Sequence, residues 1–538
     1  MSRENTVIRV KQGQLRGTVE KNSYGDEYLA FRGIPYAKPP LGPLRFKDPE
    51  PAEPWLDVRD ASEYSDICFQ RSMITRNWRG SEDCLYLNVY KPITHQASRM
   101  SVMVWIHGGA FVEGSGDDEI YGPEYFMRKD VVLVAINYRL GVLGFLNLEH
   151  KVAAGNQGLK DQVMALKWVQ ENISSFDGDP NNVTIFGESA GGASVHYLTI
   201  SPLSQGLFHK AIAQSGVAVN PWASTTKEQS KYAFLLAAKL GESSTDPETV
   251  VEFLRTIDVQ KLVTTELTLL TPQERYVVFT SFGPGIDAKS PNPFMPRHPA
   301  EMSEAGVKVP LLIGFNLNEG SLFLNSTGVF GCGSAEAIRN VNENFELAIP
   351  EQAKVYLKKE GISSSHLREL YFGNEPIGEK TTQKYADYLS DMLFVQGIHH
   401  IVNIQMKNST HPTYLYKLSY ETNEPLLRMM FNITLPGTTH GEDLQYLFHS
   451  KLAKNLDMKE YDVGSENFRM MEYFTQMWTD FAKTGNPTPR ATKLIPTIWQ
   501  PITKGNEYVY LNIDKTLRME SSSKEEQRHN WKRIKNKL

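Results

Sequence analysis

The apolar run Val-Thr-Ile-Phe at 183–186 leads directly into Gly-Glu-Ser-Ala-Gly at 187–191, and the chain continues as the helix-compatible Gly-Ala-Ser-Val-His-Tyr-Leu at 192–198. This order predicts a buried strand, a very tight turn and a helix. On such a turn Ser189 is strained and its hydroxyl projects. Neighbouring backbone comes so close that the positions two before and two after can carry almost no side chain, a condition that Gly187 and Gly191 meet. With 39 glycines in 538 residues, a chance Gly-x-Ser-x-Gly arises roughly 0.2 times. The flanking strand and helix therefore carry most of the weight, and they point to a nucleophilic serine.

The surroundings repeat the strand–helix alternation of a mostly parallel, doubly wound sheet. Residues 100–106 (MSVMVWI) and 130–138 (DVVLVAINY) are β-rich apolar runs, and 309–315, 413–420 and 508–513 read as further strands. Residues 159–173 have helical spacing, with Val163, Leu166, Val169 and Ile173 on one face. Residues 6–19 alternate around a glycine as a hairpin does. Residues 31–54, rich in Pro and Gly, read as an ordered loop. Helix-rich stretches at roughly 225–270 and 335–410 read as insertions over the C-terminal edge of the sheet. With no repeat and no linker, residues 1–538 read as one domain.

Charge excludes some partners. A formal net charge of -5 gives no electrostatic case for nucleic acid or an anionic membrane. No segment reaches the roughly 18 consecutive apolar residues that span a bilayer. The opening residues lack an apolar secretory core and the last ones lack a hydrophobic anchor signal, so a cytoplasmic location is the expectation, with secretion the alternative if a leader has been removed. The three cysteines are Cys68, Cys84 and Cys332. Cys68 and Cys84 can close a short loop or stay reduced. The five N-x-S/T sequons, at Asn172, Asn182, Asn325, Asn408 and Asn432, read as chance matches in a cytoplasmic chain.

A serine nucleophile needs three helpers. Attack on an ester carbonyl places negative charge on oxygen, which requires preorganised N–H donors. The loop WIHGGAF at 105–111 follows a strand and supplies Gly108, Gly109 and Ala110. Ala190, just after the serine, adds an amide at a helix start. Gly109, Ala110 and Ala190 are the expected donors, and His107 reads as a structural hydrogen-bonder of the loop. A histidine must take the serine proton and a carboxylate must orient it, in the chain order Ser, acid, His. His440, in LPGTTHGEDLQYLF, lies in a Gly-flanked loop, whereas His399, His400 and His449 lie in helical patterns. For the acid, Glu319 follows the strand at 309–315. Asp287 and Asp443 stay open as rivals on spacing alone.

These segments, with FRGIPYAKPPLGPLRFKDP, SEDCLYLNVY, INYRLGVLGFL and GNQGLKDQVMALKWVQENI, closely resemble the carboxylesterase/cholinesterase family over nearly the whole chain, and most of all insect soluble α-esterase-type carboxylesterases. The resemblance implies an α/β-hydrolase fold with a deep gorge and a triad of Ser189, Glu319 and His440. It also implies an acyl-enzyme cycle without cofactor or metal, with small-molecule esters as substrates and organophosphates as covalent inhibitors. By the same resemblance Glu188 supports the imidazolium or the water, and Trp222 lies at the acyl pocket.

Several positions depart from the family pattern. The oxyanion loop is HGGA where HGGG is commoner. Trp78 lies much closer to Cys84 than the choline-binding Trp of cholinesterases does, which argues against a choline site. Leu322 and Phe323 follow the acid, and Val278 and Thr280 stand where cholinesterases carry acyl-pocket phenylalanines, which implies room for a larger acyl group. GESAG also differs from the GQSAG usual in juvenile hormone esterases.

The expected function is hydrolysis of small to medium apolar esters in general and xenobiotic metabolism. A hormone or pheromone esterase, an organophosphate-sequestering esterase and a non-catalytic adhesion-type homologue are the alternatives. Monomer and homodimer stay equally open.

Overall fold

The computed structural model describes residues 6–93, 98–225, 229–277, 280–324, 332–458, 460–504 and 507–523. An eleven-stranded sheet runs through them. Its strands, in chain order, are β1 Thr18–Lys21, β2 Glu27–Pro35, β3 Tyr86–Pro92, β4 Met100–Ile106, β5 Val131–Ile136, β6 Gly178–Glu188, β7 Lys210–Gln214, β8 Leu311–Asn316, β9 Thr413–Leu418, β10 Glu507–Ile513 and β11 Arg518–Ser523. In space they lie in the order β11-β10-β9-β8-β7-β6-β4-β5-β3-β2-β1. Strands β4 to β10 are parallel to one another, and the antiparallel pairs are confined to the two ends of the sheet.

The central strands are apolar on both faces because both faces are covered. In β4, Val102, Val104 and Ile106 enter one core and Met103 and Trp105 the other. The two-residue period of a strand divides one hydrophobic run between two layers. The first core is closed by α1 (Gln157–Asn172) and α2 (Ala190–Ile200), which contribute Leu159, Leu166, Val169, Ala193 and Leu198. The second is closed by α3 (Glu466–Thr484), through Met470, Phe474, Met477, Trp478 and Phe481. The expected insertions are helical, as at Gln229–Leu240, Pro247–Thr256, Val259–Glu266, Thr382–Ser390 and Gln396–Asn408.

The chain passes from β4 to β5 on one side, then returns to place β6 on the other side of β4. Order therefore reverses at β4, and the carboxyl ends of β4 and β6 open side by side. Such a reversal leaves a crevice where a site can form.

Three expectations change. Residues 31–35 belong to β2 rather than to a loop. Gly33 stands at φ 62, where the register against β3 shifts between Phe31 and Ile34. The glycine that reads as a break thus builds a bulge inside a strand. The hairpin at 6–19 is real only over Val7–Val10 and Gly13–Arg16, which pair with each other and with Val58–Asp60 in a small separate sheet. Its tail, Thr18–Lys21, crosses into the large sheet as β1. Third, β3, β7 and β11 were not legible as strands, because polar residues interrupt their apolar pattern.

Cys68 and Cys84 form a disulfide across a separation of 16 residues, and Cys332 is free and buried. Among the described residues no helix is long and apolar enough to cross a membrane. Closing a loop of this size stabilises by about 3 kcal/mol through the unfolded chain. Replacing both Cys68 and Cys84 by Ala is expected to lower unfolding stability by about that amount, read from the urea midpoint at unchanged slope.

Candidate active site

Ser189 follows β6 and immediately precedes α2, at φ 58 and ψ -121. An L-residue held there costs about 1–3 kcal/mol and persists only when its surroundings enforce it. The constraint is visible in the flanking glycines. A Cβ on Gly187 would come 2.5 Å from the carbonyl oxygen of Ile106, and one on Gly191 would meet the same oxygen. The end of β4 therefore presses against both sides of the turn. The Ser189 N–H donates to Gln214 O at the end of β7, 2.9 Å away.

The serine hydroxyl lies 2.8 Å from His440 Nε2, and His440 Nδ1 lies 2.6 Å from Glu319 Oε2. The carboxylate accepts a hydrogen bond from Nδ1–H, so Nε2 carries the lone pair that receives the serine hydroxyl. Three residues far apart in the chain, each placed by a loop beyond a strand, thus join in one hydrogen-bonded row. Glu319 is itself held by Ser215 Oγ and by the Asn316 N–H, both donating to Oε1 at 2.6 Å. Its buried oxygens have partners on both sides.

The rival acids lie elsewhere. Asp287 accepts from the backbone N–H groups of Phe294 and Met295 and sits 3.3 Å from Lys160 Nζ. Asp443 accepts from Gln214 Nε2 at 2.6 Å, behind the row. His107 stacks on Tyr138 at 4.3 Å between ring centres and bonds Gly108 O through Nδ1 at 2.8 Å. Burial pushes His107 down to about 4, which keeps it neutral. His399 and His400 lie on the helix Gln396–Asn408, and His449 Nδ1 is 3.0 Å from Glu124.

Glu188 Oε1 lies 3.2 Å from His440 Nε2 and has no hydrogen-bond donor. These facts agree: in the resting tautomer Nε2 has no proton to give, and the contact becomes a hydrogen bond only when the ring is charged. Burial opposes that charge. The facing carboxyls of Glu188 and Glu319 offset that cost, so the charged ring is favoured more than in a free imidazole. Burial likewise raises Glu188, His440 offsetting part of the rise.

The row opens into a cavity of about 200 Å³. The loop after β4 contributes Gly108, Gly109 and Ala110, with Gly109 at φ 100 and Ala110 at φ 53. The N–H groups of Gly109 and Ala110 meet no protein acceptor among the described residues, and Ala190 opens α2 beside them. One wall is aromatic: Trp222, Phe323 and Phe394, with Phe394 4.5 Å and Phe323 6.1 Å from the His440 ring centre. Another is built from Leu426, Leu427, Phe431, Glu442, Gln445 and Leu452.

Trp78 stacks on Phe69 at 5.7 Å and is not among the lining residues. Thr280 is occupied with the backbone of Phe282, and Val278 lies outside the described residues.

Sequence reasoning missed Phe394 and the 426–452 wall. Phe394 sits on a π-helical turn, Asp391–Val395, inside an otherwise regular helical stretch. Such a turn releases carbonyls from the helix ladder. Asn220 Nδ2 donates to Leu393 O and Phe394 O at 2.8 and 2.9 Å, and Trp222 Nε1 donates to Leu393 O at 2.8 Å. Trp222 therefore spends its polar edge on the turn and offers apolar surface to the cavity. No local pattern signals a π turn.

A sheet reversed at its middle strands, with a serine on a strained turn at the reversal, defines the α/β-hydrolase fold. Residues 4–531 match the carboxylesterase family. Juvenile hormone esterase of Tribolium castaneum is 38% identical over 90% of this chain and 84% of its own length. Esterase FE4 of Myzus persicae is 34% identical over 92% of this chain and 87% of its own. The crystal structure of juvenile hormone esterase from Manduca sexta, with OTFP covalently attached, superposes with a TM-score of 0.86 at 30% identity over 99% of each chain. The chain belongs to the carboxylesterase family and is a carboxylic-ester hydrolase.

Replacing Glu188 by Gln removes one of the carboxyls that raise His440. The ring is then expected to take up its proton at a lower pH than in the unaltered protein, as followed by the imidazole NMR titration. An unmoved midpoint would contradict the coupling.

Proposed function

We propose that Ser189 is the nucleophile, His440 the general base and acid, and Glu319 the residue that orients His440, in the hydrolysis of small to medium apolar esters. The reading rests on the unbroken hydrogen-bonded row from the Ser189 hydroxyl through His440 to Glu319. His440 Nε2 takes the serine proton as Oγ attacks the ester carbon. The oxyanion forms against the amides of Gly109, Ala110 and Ala190, of which each is worth roughly 3–4 kcal/mol of barrier. His440, now charged, gains the Glu188 contact that it lacked at rest. It then gives its proton to the leaving alcohol, leaving an acyl-enzyme, and water repeats the sequence to release the acid and free Ser189.

The acyl group lies against Trp222, Phe323 and Phe394. Apolar walls suit general ester and xenobiotic metabolism, and organophosphates would phosphylate Ser189 because tetrahedral phosphorus resembles the acylation transition state. A second reading is favoured by the likeness to two juvenile hormone esterases: a hormone esterase using the same row. Relative kcat/KM on juvenile hormone and on aryl esters separates the two. The disulfide favours an oxidising compartment over the cytoplasmic expectation.

Ser189→Ala is expected to abolish turnover of p-nitrophenyl butyrate. Glu319→Gln, which leaves the ring's tautomer undirected, is expected to lower kcat by about 10⁴-fold. Retained turnover in Ser189→Ala would falsify the assignment. In a panel of p-nitrophenyl esters of increasing acyl length, Phe394→Ala is expected to move the kcat/KM optimum to longer chains. An unmoved optimum would take Phe394 out of the acyl wall.

A further inference from the structure

The turn after β4 begins beside the serine: a Cβ on Gly108 would come 3.2 Å from Ser189 Cβ. Its backbone then stays at positive φ for three residues, Gly109 at 100, Ala110 at 53 and Phe111 at 62, and returns there at Gly114, at 112. Ala110 and Phe111 carry side chains in this region, a conformation that persists only where the surroundings enforce it. Part of the enforcement is local. Gly109 O accepts the N–H groups of Val112 and Glu113 at 2.9 and 3.1 Å. The Phe111 ring packs on Phe145 at 5.4 Å.

The far end of the turn is held from outside, by Gln70. Its Oε1 accepts the Gly114 N–H at 2.7 Å and its Nε2 donates to Gly114 O at 2.9 Å, so one carboxamide fixes the peptide groups on both sides of that glycine. Gly114 in turn lies against the start of the turn. A Cβ there would come 2.3 Å from His107 Nδ1 and 2.7 Å from Gly108 O. A second tie runs beside the first, where Glu113 Oε2 accepts the Met73 N–H at 2.6 Å.

Gln70 is itself fastened. It is 4% exposed, and its Nε2 also donates to Cys68 O at 2.9 Å. It opens a short hairpin, Gln70–Arg71 with Trp78–Arg79, that lies inside the loop closed by Cys68 and Cys84. A covalently closed loop outside the hydrogen-bonded row therefore grips the turn that carries Gly109 and Ala110.

We propose that Gln70 is a positioning residue for the oxyanion donors: by clamping Gly114 it keeps the Gly109 and Ala110 amides where the negative charge develops. The inference rests on the reading of Ser189 as nucleophile and of those amides as its oxyanion donors. Gln70 acts through Gly114, so its effect falls on the transition state and leaves ground-state binding alone. Donors stabilise the transition state fully only when they are held in place beforehand, and a displacement of about 1 Å costs roughly 10²-fold.

The test uses p-nitrophenyl butyrate with two ketones, 1,1,1-trifluorooctan-2-one and octan-2-one. With the first, Ser189 Oγ bonds to the carbonyl carbon, the serine proton passes to His440 and the carbonyl π pair becomes an oxyanion, so the adduct resembles the acylation intermediate. The second reports ground-state binding. Gln70→Met keeps the length of the side chain and removes its three bonds. In this variant kcat is expected to fall roughly 10²-fold with KM held within about threefold. The Ki of the trifluoroketone is expected to rise by the same factor as kcat falls, while that of octan-2-one stays put. Gln70→Glu keeps the acceptor for the Gly114 N–H and loses the donations to Gly114 O and Cys68 O. It is expected to show the same split at roughly tenfold, and it stands in should Gln70→Met fail to fold.

A kcat that falls only with the folded fraction, followed by near-ultraviolet circular dichroism, marks a merely structural role and overturns the proposal. So does an equal loss of affinity for the two ketones. An unaltered enzyme that neither hydrolyses the butyrate nor favours the trifluoroketone over octan-2-one overturns the nucleophile reading itself, and the proposal with it.

Discussion

The pressure of the β4 end on the turn after β6 is the constraint from which the rest of this structure follows. Gly187 and Gly191 are the only way to bring that backbone against the Ile106 carbonyl, and the close approach holds Ser189 in a conformation it would otherwise leave. The same contact sets the loop after β4 beside Ser189, where Gly109 and Ala110 line the cavity. Two apolar cores, one on each face of the sheet, supply the burial that keeps β4 and β6 from easing apart. Strain at one residue is sustained by the packing of many.

Around His440 three acidic side chains share a small volume, and their partners separate their roles. Glu319 receives Nδ1, a serine hydroxyl and a backbone amide, so its charge is well solvated by protein. Asp443 is bound to Gln214, which in turn receives Trp478 Nε1, and is thereby fastened to the second core. Glu188 has no donor at rest and faces the nitrogen that becomes charged. Burial alone would disfavour all three as anions. What distinguishes them is the supply of hydrogen bonds, which depends on neighbours drawn from β6, β7, β8 and the 438–446 segment. A carboxylate that already has its donors can orient the ring, and one that lacks them responds to the ring's charge.

Legibility in the sequence followed the range of the interaction. The elbow was readable because strand, turn and helix are contiguous and each demand falls on a named residue. The long parallel strands were readable because burial on both faces leaves an uninterrupted apolar run. β2 was hidden because a bulge needs Gly33 in mid-strand, and glycine there reads as an end. Phe394 was hidden because a π turn is decided by whether remote donors, Asn220 and Trp222, are present to take the released carbonyls.

The sequence by itself determined the serine turn, the glycine-rich turn after β4 and the central strands, since local backbone sterics and a two-residue or 3.6-residue period specify those. Spacing alone left Glu319, Asp287 and Asp443 in competition; the family resemblance pointed to Glu319, and the tertiary structure sets it against His440 by bringing β8 within reach of the loop that carries that ring. It also decided that Cys68 meets Cys84 and that Trp78 stays out of the cavity. Those outcomes depend on which distant segments share a surface, and a linear pattern holds no record of that distance.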